Sequence, residues 1–227
     1  PVAVGISDEH KQKLLRIAKQ LDNPLRYTDR KLRERLATFA ATQGEPEAWA
    51  ALKPRTFLID QLDDISREGK PARTTSDQTA FIQFSSGSTS DPKGVVLTHG
   101  NILANAEGSR QAAGFSERDV SLSWMPLTHD MGLIGFHLMM MYAGVRQYLM
   151  PTDLFVRRAL LWMKFASEKR VTLTCSPNFG YRHFLRALGD KTLEGVDLAS
   201  IRLIFNGAEP ISVELAGEFL DRMAPYG

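Results

Sequence analysis

The sequence has little of several residue types that define specialised proteins. Its 227 residues include one cysteine, Cys175, which cannot form an internal disulfide or a cysteine-based metal framework, so a reducing, cytoplasmic setting is expected. The longest apolar stretch, residues 132–145, contains His137 and is shorter than the ~20 residues that a spanning helix needs. We therefore expect no membrane span, and we interpret Cys175 as a small buried residue near a strand end.

Excess charge of one sign is also absent. The chain has 28 lysines and arginines against 26 acidic residues, a net charge of +2, so nucleic acid is not an expected partner. Hydrophobic residues make up 43% and charged residues 24%, which are ordinary values for a globular protein. A chain of this length can bury about 70% of its unfolded surface, which is enough for a core.

Short apolar strands alternate with helices along the chain. This alternation predicts an α/β fold with a mostly parallel, doubly wound sheet flanked by helices. We expect an N-terminal α/β segment at 1–73 and a central α/β subdomain at 74–227. Strands are predicted at 25–27, 56–59, 79–85, 120–125, 146–150, 171–174 and 201–206, and helices from residue 7, at 29–42, 100–114, 132–143, 155–169, 179–188 and 213–223.

Ligands of parallel sheets bind beyond the carboxyl ends of the strands, so the loops after strands are the candidate sites. The first, Ser85–Gly94, lies between a predicted strand and a predicted helix and combines hydroxyls, glycine amides and Lys93, the donors that a polyphosphate needs. It is not a Walker A loop, because Pro92 precedes Lys93 and Gly94 follows it. A flexible Ser/Gly linker is the alternative, although it does not explain the order of the residues.

Two further loops are ambiguous from their residues alone. His129 beside Asp130 follows the strand at 120–125, and a structural pair is the simpler interpretation. The segment from Asn206 to Pro210 follows the strand at 201–206, and glycine and alanine there would let a flat ring approach the backbone. A simple turn before the next helix explains that segment equally well.

The first loop resembles the motif of the adenylate-forming (AMP-binding) superfamily, which includes acyl-CoA synthetases, luciferases and peptide-synthetase adenylation domains. One departure is Ser90, where most members have glycine. Within the superfamily, the second loop is similar to fatty acyl-AMP ligases. The stretch Pro177-Asn178-Phe179 is similar to the acyl-pocket segment of those ligases and of the acyl-loading domains of lipopeptide or polyketide assembly lines. The residues that carry the resemblance are Ser86-Gly87-Ser88-Thr89, Pro92-Lys93-Gly94-Val95, Leu97-Thr98-His99, Asn101 and His129-Asp130-Met131-Gly132-Leu133-Ile134-Gly135.

The resemblance implies ATP- and Mg²⁺-dependent activation of a fatty acid to an acyl-adenylate, followed by transfer to an acyl carrier protein. His129 is implied as the catalytic residue, and Thr89 as a candidate Mg²⁺ contact. The implied ligands of the ATP phosphates are Ser85, Ser86, Gly87, Ser88, Thr89, Lys93 and Gly94. The implied adenine-binding residues are Asn206, Gly207, Ala208, Glu209 and Pro210. The implied acyl-pocket residues are Asp130, Met131, Gly132, Ser176, Pro177, Asn178 and Phe179.

The resemblance covers only part of the family's large N-terminal domain. Its magnesium-binding Tyr-Gly-x-x-Glu segment, its ribose-binding Asp and its small C-terminal domain with the catalytic Lys have no match here. We therefore expect a fragment that is inactive by itself. An acyl-CoA synthetase that uses coenzyme A is an alternative, and so is a non-catalytic binding or scaffold module.

Overall fold

The computed structural model describes residues 8–22, 24–43, 45–61, 68–85 and 93–227. The chain divides into two compact units, Pro1–His99 and Gly100–Gly227. The subdivision at residues 73 and 74 stays a prediction. In the described part of the chain, no helix has both the length and the apolar character needed to cross a membrane.

The first unit contains helices and two small sheets. Strands β1 and β2 pair in parallel, and β3 and β4 pair antiparallel. The helices pack around Leu14, Leu36, Phe39 and Leu52, which are all buried. The elements are α1 Asp8–Gln20, β1 Arg26–Thr28, α2 Arg30–Thr42, α3 Pro46–Leu52, β2 Thr56–Leu58, β3 Thr79–Ser85 and β4 Lys93–Thr98, with short 3₁₀ helices at Lys53–Arg55 and Ile59–Gln61.

Local chemistry explains where the first helices begin. Asp29 precedes α2, and its Oδ1 accepts a hydrogen bond from the backbone N of Leu32 at 2.7 Å, which is an N-cap. Helix α3 was not predicted, although Pro46 is suited to a first helical turn, where its missing N–H has no intrahelical role.

The helix predicted at 100–114 is confirmed as His99–Ala113, but the strand between the first loop and that helix was not predicted. This strand, β4, begins at Lys93 and pairs with β3 in a register that sets Ser85 opposite Lys93. The run Val95-Val96-Leu97 has the β-branched residues that favour an extended strand. The loop is therefore the connection of a β-hairpin, and the next helix begins at His99.

The second unit is built on a four-stranded parallel sheet, which confirms the predicted fold class. The strand order is β6-β5-β7-β8, and every pairing is parallel. Its elements, with the helix that leads into it, are α4 His99–Ala113, β5 Val120–Ser123, a π-helix at Met131–Leu138, α5 Met139–Tyr142, β6 Arg146–Leu149, α6 Thr152–Arg157, α7 Leu161–Glu168, β7 Leu173–Ser176, α8 Asn178–Leu188, β8 Leu203–Asn206 and α9 Val213–Met223, followed by a 3₁₀ turn at Ala224–Tyr226.

Several element boundaries differ from the prediction, including the end of β5 at Ser123 and the start of β8 at Leu203. The helix predicted at 155–169 is two helices, because Arg158 leaves the helical conformation with φ −142° and ψ 62°.

Strand β7 begins two residues later than predicted. Before it, Thr172 donates its backbone N–H to the carbonyl of Val120 at 2.8 Å. Its hydroxyl accepts from the backbone N of Val120 at 3.0 Å and donates to Asp119 at 2.7 Å, so Thr172 is bonded to the start of β5 through both backbone and side chain.

An aromatic core fills the second unit. Trp162 is fully buried and donates its indole N–H to Thr174 Oγ1 at 2.8 Å, which in turn donates to the carbonyl of Leu122. Cys175 is fully buried beside Ser123, and burial raises the pKa of its thiol to about 12. The expectation of a structural cysteine is therefore confirmed.

An ion pair between the buried Asp119 and the exposed Arg202 joins the start of β5 to the start of β8. Arg202 holds the Asp119 carboxylate with two bonds of 2.8 Å, and the Ser116 backbone N adds a third at 3.0 Å. The same guanidinium donates to the carbonyls of Ala113 and Gly114 at the end of α4. The bonds from Arg202 are the main reason that the pKa of Asp119 falls to about 2.

We predict that this pair makes stability depend on acid pH. The pKa of Asp119 is lower in the folded state than its unfolded value of ~3.9, so its stabilisation is present above that value and is lost as the pH falls towards 2. Asp119→Asn should lower the free energy of unfolding at pH 7 by about 1.5–3 kcal/mol and flatten its decline below pH 5, as measured by urea unfolding.

Asp197→Asn is the matched control, because Asp197 forms an exposed pair with Arg170 at 3.2 Å. It should change stability by less than about 1 kcal/mol. Parallel pH profiles for wild type and Asp119→Asn would contradict the prediction.

Candidate functional site

Three of the predicted segments follow neighbouring strands of the second unit. Because β5, β7 and β8 are parallel, the segments after Ser123, Ser176 and Asn206 begin at the same edge of the sheet. Their positions along this edge follow the strand order, so the segment at 176–179 lies between the other two. The sheet therefore places predicted acyl-pocket residues beside predicted adenine-binding residues.

Asn178 connects two of these segments. It is the first residue of α8, and its side chain is buried, with 8% of the residue exposed. Its Oδ1 accepts from Asn206 Nδ2 at 2.9 Å, and its Nδ2 donates to the carbonyl of Pro210. The next backbone N–H, that of Phe179, donates to Glu209 Oε1 at 2.8 Å. The loop after β7 therefore fixes the position of the segment after β8.

The segment after β8 has two features that a plain turn does not require. Ala208 has φ +71°, in the left-handed region that residues other than glycine seldom adopt. Asn206 keeps one buried polar atom, Oδ1, without a hydrogen-bond partner among the described residues. Gly207 is half-buried, whereas Ala208, Glu209 and Pro210 are exposed. A buried acceptor without a partner therefore lies next to an exposed segment of backbone.

His129 forms the local pair with Asp130 that the sequence suggested. Its Nδ1 lies 2.8 Å from Asp130 Oδ1, and its side chain is 43% exposed. The backbone N of Met131 donates to Asp130 Oδ1 at 2.7 Å and lies 3.2 Å from His129 Nδ1. Both side chains thus cap the start of the π-helix. A catalytic role of His129 and an acyl contact of Asp130 or Met131 stay predictions.

Gly132 allows the π-helix to approach the end of β5. A Cβ atom at this position would lie 2.3 Å from the carbonyl oxygen of Pro126 and 2.9 Å from that of Met125. Both neighbours are backbone atoms, which cannot move as a flexible side chain can. Close packing accounts for this glycine without a ligand.

Ser176 and Pro177 face the packed interior of the second unit. Ser176 is fully buried, and its hydroxyl donates to the carbonyl of Pro177 at 2.9 Å. A Cβ atom on Gly180 would lie 2.2 Å from Ser176 Oγ and 2.5 Å from the ring of Trp124, so α8 approaches this strand end closely. Phe179, by contrast, is 53% exposed.

Two residues near this edge were missed by sequence reasoning. Trp124 directly follows β5. Its ring stacks on Phe155 with centroids 3.9 Å apart and lies in a T-shaped contact with Phe179 at 5.7 Å. Tyr181 donates its hydroxyl to the carbonyl of Phe205 at 3.0 Å, and burial raises its pKa. The only available signal was position. Trp124 directly follows β5, and Tyr181 lies three residues after the candidate residue Asn178.

Most of the predicted phosphate loop lies outside the described residues. This applies to Ser86, Gly87, Ser88 and Thr89, so the proposed Mg²⁺ contact also stays a prediction. In the first unit, Ser85 ends β3 and the exposed Lys93 begins β4 opposite it. Gly94 packs closely, since a Cβ there would lie 2.9 Å from Ile82 Cγ2. Within the described ranges, no three His, Cys, Asp or Glu side chains are grouped to hold a metal ion.

Comparison with known proteins gives consistent matches. A model of a family described as AMP-binding enzyme matches residues 4–226. The chain is 35% identical over 163 residues to a medium-chain-fatty-acid–[acyl-carrier-protein] ligase, JamA of Moorena producens, covering 72% of this chain and 28% of that protein. The chain thus spans less than a third of that ligase.

Two solved structures are similar to the whole fold. The fatty acyl-adenylate ligase from L. pneumophila, in complex with acyl adenylate and pyrophosphate, aligns with a TM-score of 0.83 and 28% identity, covering 97% of this chain and 37% of that chain. McyG A-PCP complexed with phenylalanyl-adenylate aligns with a TM-score of 0.87 and 27% identity, covering 100% of this chain and 35% of that chain.

We predict that Gly132→Ala destabilises the second unit. The added methyl group must displace backbone at Pro126, so the free energy of unfolding should fall by about 1–3 kcal/mol in urea unfolding. Gly135→Ala, in the same π-helix, meets no atom within 4 Å and should be neutral or stabilising by up to about 1 kcal/mol. Equal effects of the two substitutions would contradict a packing role for Gly132.

We also predict that Asn178→Ala loosens the segment after β8. The substitution removes the partner of Asn206 Nδ2 and of the Pro210 carbonyl, and a buried group left unpaired costs about 1–3 kcal/mol. Hydrogen exchange should therefore speed up at the backbone amides of Gly207 to Glu209. Arg182→Ala, an exposed change one turn further along α8, is the control and should leave this exchange as in wild type.

Proposed function

Because the chain belongs to the AMP-binding enzyme family, we propose that the protein containing it activates a fatty acid with ATP. A carboxylate oxygen attacks the α-phosphorus of ATP, the bond from that phosphorus to the bridging oxygen breaks, and pyrophosphate leaves. The product is an acyl-adenylate, a mixed anhydride whose acyl carbon is open to a nucleophile.

One observation carries this proposal, the connection of the segments after β7 and β8 through Asn178. An acyl-adenylate holds an acyl group and a nucleotide at one phosphorus, so its enzyme needs adjoining acyl and nucleotide subsites. Asn178 bonds to Asn206 and Pro210, while its neighbour Phe179 bonds to Glu209 and presents a half-exposed ring. The residues proposed to bind the acyl group are therefore hydrogen-bonded to the residues proposed to bind the nucleotide.

We assign the adenine ring to the segment from Asn206 to Pro210. The backbone at Gly207 and Ala208 is open to a flat ring. Beside it, Asn206 Oδ1 is a buried acceptor without a partner, and it would accept a hydrogen bond from the 6-amino group of adenine if its side chain turned towards the ring. Without a ligand, that buried acceptor is the kind of unsatisfied group that needs an explanation.

We assign the ATP phosphates to the hairpin loop that ends at Lys93 and Gly94, with Ser85, Ser86, Gly87, Ser88 and Thr89. Lys93 supplies a positive charge on the first residue of β4, where paired backbone holds its Cα. When bound, Mg²⁺ would neutralise charge on the phosphates, with Thr89 as the proposed contact. Catalysis of this kind depends on positioning and on charge neutralisation.

We assign His129 to the reacting carboxylate and phosphate. Its capping bond through Nδ1 leaves the Nε2 side of the ring available, and the side chain is partly open to solvent. Asp130, Met131, Gly132 and the 176–179 segment form the proposed acyl pocket. Of these, Phe179 is the residue whose ring is exposed enough to contact an acyl chain.

The proposed acceptor is the thiol of an acyl carrier protein. The similar JamA is an acyl-carrier-protein ligase, and McyG A-PCP contains an adenylate, so both support adenylation coupled to carrier loading. In this step the thiol sulfur attacks the acyl carbon, AMP leaves, and the thiol proton passes to a base. Coenzyme A is the alternative acceptor. We propose a cytoplasmic location, since the one cysteine is a buried thiol.

The test is carboxylate-dependent exchange of labelled pyrophosphate into ATP by the protein that contains this chain. Lys93→Ala and Thr89→Ala should each weaken use of ATP by about 1.5–3 kcal/mol, the range for hydrogen bonds to charged groups. Lys164→Ala, an exposed lysine of α7, is the charge-matched control and should exchange as wild type does.

Unchanged exchange in both loop variants would remove the loop from the mechanism. Absence of exchange in the unsubstituted protein, with ATP still bound, would instead favour a binding or scaffold module.

A further inference from the structure

A groove with a volume of about 400 Å³ runs along the exposed side of α8. None of the functions assigned above uses it as a whole. Three of its lining residues are apolar, three are basic, and none is acidic. They are Phe155, Val156, Phe179, Arg182, His183 and Arg186.

The floor of the groove is apolar and rigid. Val156 and Phe179 are each 53% exposed, so two large hydrophobic side chains face solvent close together. Beneath them Phe155 is fully buried and stacked on Trp124. His183 Nε2 lies 2.9 Å from the carbonyl oxygen of Val156, which connects α8 to the end of α6. A preformed apolar floor of this kind needs little reordering to bind a partner.

The rim of the groove is cationic. Arg182 and Arg186 are exposed and lie four residues apart on α8, so they occupy one face of the helix. Neither arginine forms an ion pair with another residue in the described part of the chain. They also border a second groove that contains the acidic residues Asp190, Glu214 and Glu218, but in the described part of the chain none of these carboxylates forms an ion pair with them.

We infer that this groove is the docking surface for an acidic amphipathic helix of the acyl carrier protein, an inference that rests on the proposed function. Carboxylates one turn apart on such a helix have a spacing of about 5–6 Å, which matches that of Arg182 and Arg186. An apolar residue between them would contact the exposed side chain of Val156.

The position of the groove suits a carrier that must deliver a thiol. Its apolar end is Phe179, whose backbone N–H binds Glu209 of the proposed adenine segment. From there the rim extends along α8 to Arg186, about 10 Å at 1.5 Å per residue. A carrier held on this rim is therefore adjacent to the proposed adenylate site without covering Asn178, which is buried.

The first experiment measures binding of a phosphopantetheine-loaded acyl carrier protein to the 227-residue chain by isothermal titration calorimetry. The double variant Arg182→Glu/Arg186→Glu should weaken binding at least ~10-fold, because rim charges set recognition. Wild-type binding should weaken with added salt, whereas binding to the double variant should not. Lys164→Glu reverses an exposed charge outside the groove and should bind as wild type does. Arg182→Gln/Arg186→Gln, which only removes the charges, should give an intermediate loss.

The second experiment separates this inference from the proposed function. In the protein containing this chain, the double variant should retain carboxylate-dependent pyrophosphate exchange but load the carrier at least ~10-fold more slowly. An absence of pyrophosphate exchange in wild type would refute the proposed function. The binding measurement would still test whether the groove is a docking surface for the carrier.

Three results would overturn the docking inference. The first is carrier binding and loading by the double variant at wild-type levels. The second is displacement of the carrier by coenzyme A, with the arginine changes weakening coenzyme A binding, which would make the groove a nucleotide site. The third is a lower melting temperature with unchanged loading, which would show that another segment of the same protein covers the groove.

Discussion

The parallel pairing of β7 with both β5 and β8 is the constraint on which the second unit depends. It fixes Ser176 opposite Asn206 and aligns the strand ends from which the candidate segments leave. The starts of β5 and β8 are held by the ion pair between the buried Asp119 and the exposed Arg202. An ion pair therefore holds the strand starts at one end of the sheet. The candidate segments, with their polar side chains, leave from the strand ends at the other.

The segments at those strand ends differ in how far packing alone explains them. Gly132 and Ser176 are accounted for by close backbone and ring contacts, and they need no ligand. The Asn206 acceptor and the left-handed backbone at Ala208 are different, because packing gains nothing from either. A site inferred from residue type alone would treat these positions as equal. The contacts separate residues that shape the site from residues that remain free to bind.

Much of the fold could be predicted from the sequence because strongly periodic segments specify their own structure. The strand at 79–85 and the helix at 213–223 have the predicted bounds. The errors arose where the conformation is not set by local periodicity: Val95-Val96-Leu97 pairs as β4, and Arg158 leaves the helical conformation and divides the helix predicted at 155–169. For the site, the sequence indicated which loops to consider, but the bond from Asn178 to Asn206 joins residues 28 positions apart and has no local signal.

Helix α8 combines two roles because its residues point in different directions. Its first residue, Asn178, turns inward and holds the segment after β8, while Phe179 bonds to that segment through its backbone and leaves its ring exposed. Arg182 and Arg186 come next on the outer face at the spacing of one turn. A partner bound to that outer face would therefore contact a helix whose N-terminus is hydrogen-bonded to the proposed adenine segment. A single rigid element connects the proposed partner surface with the proposed nucleotide site.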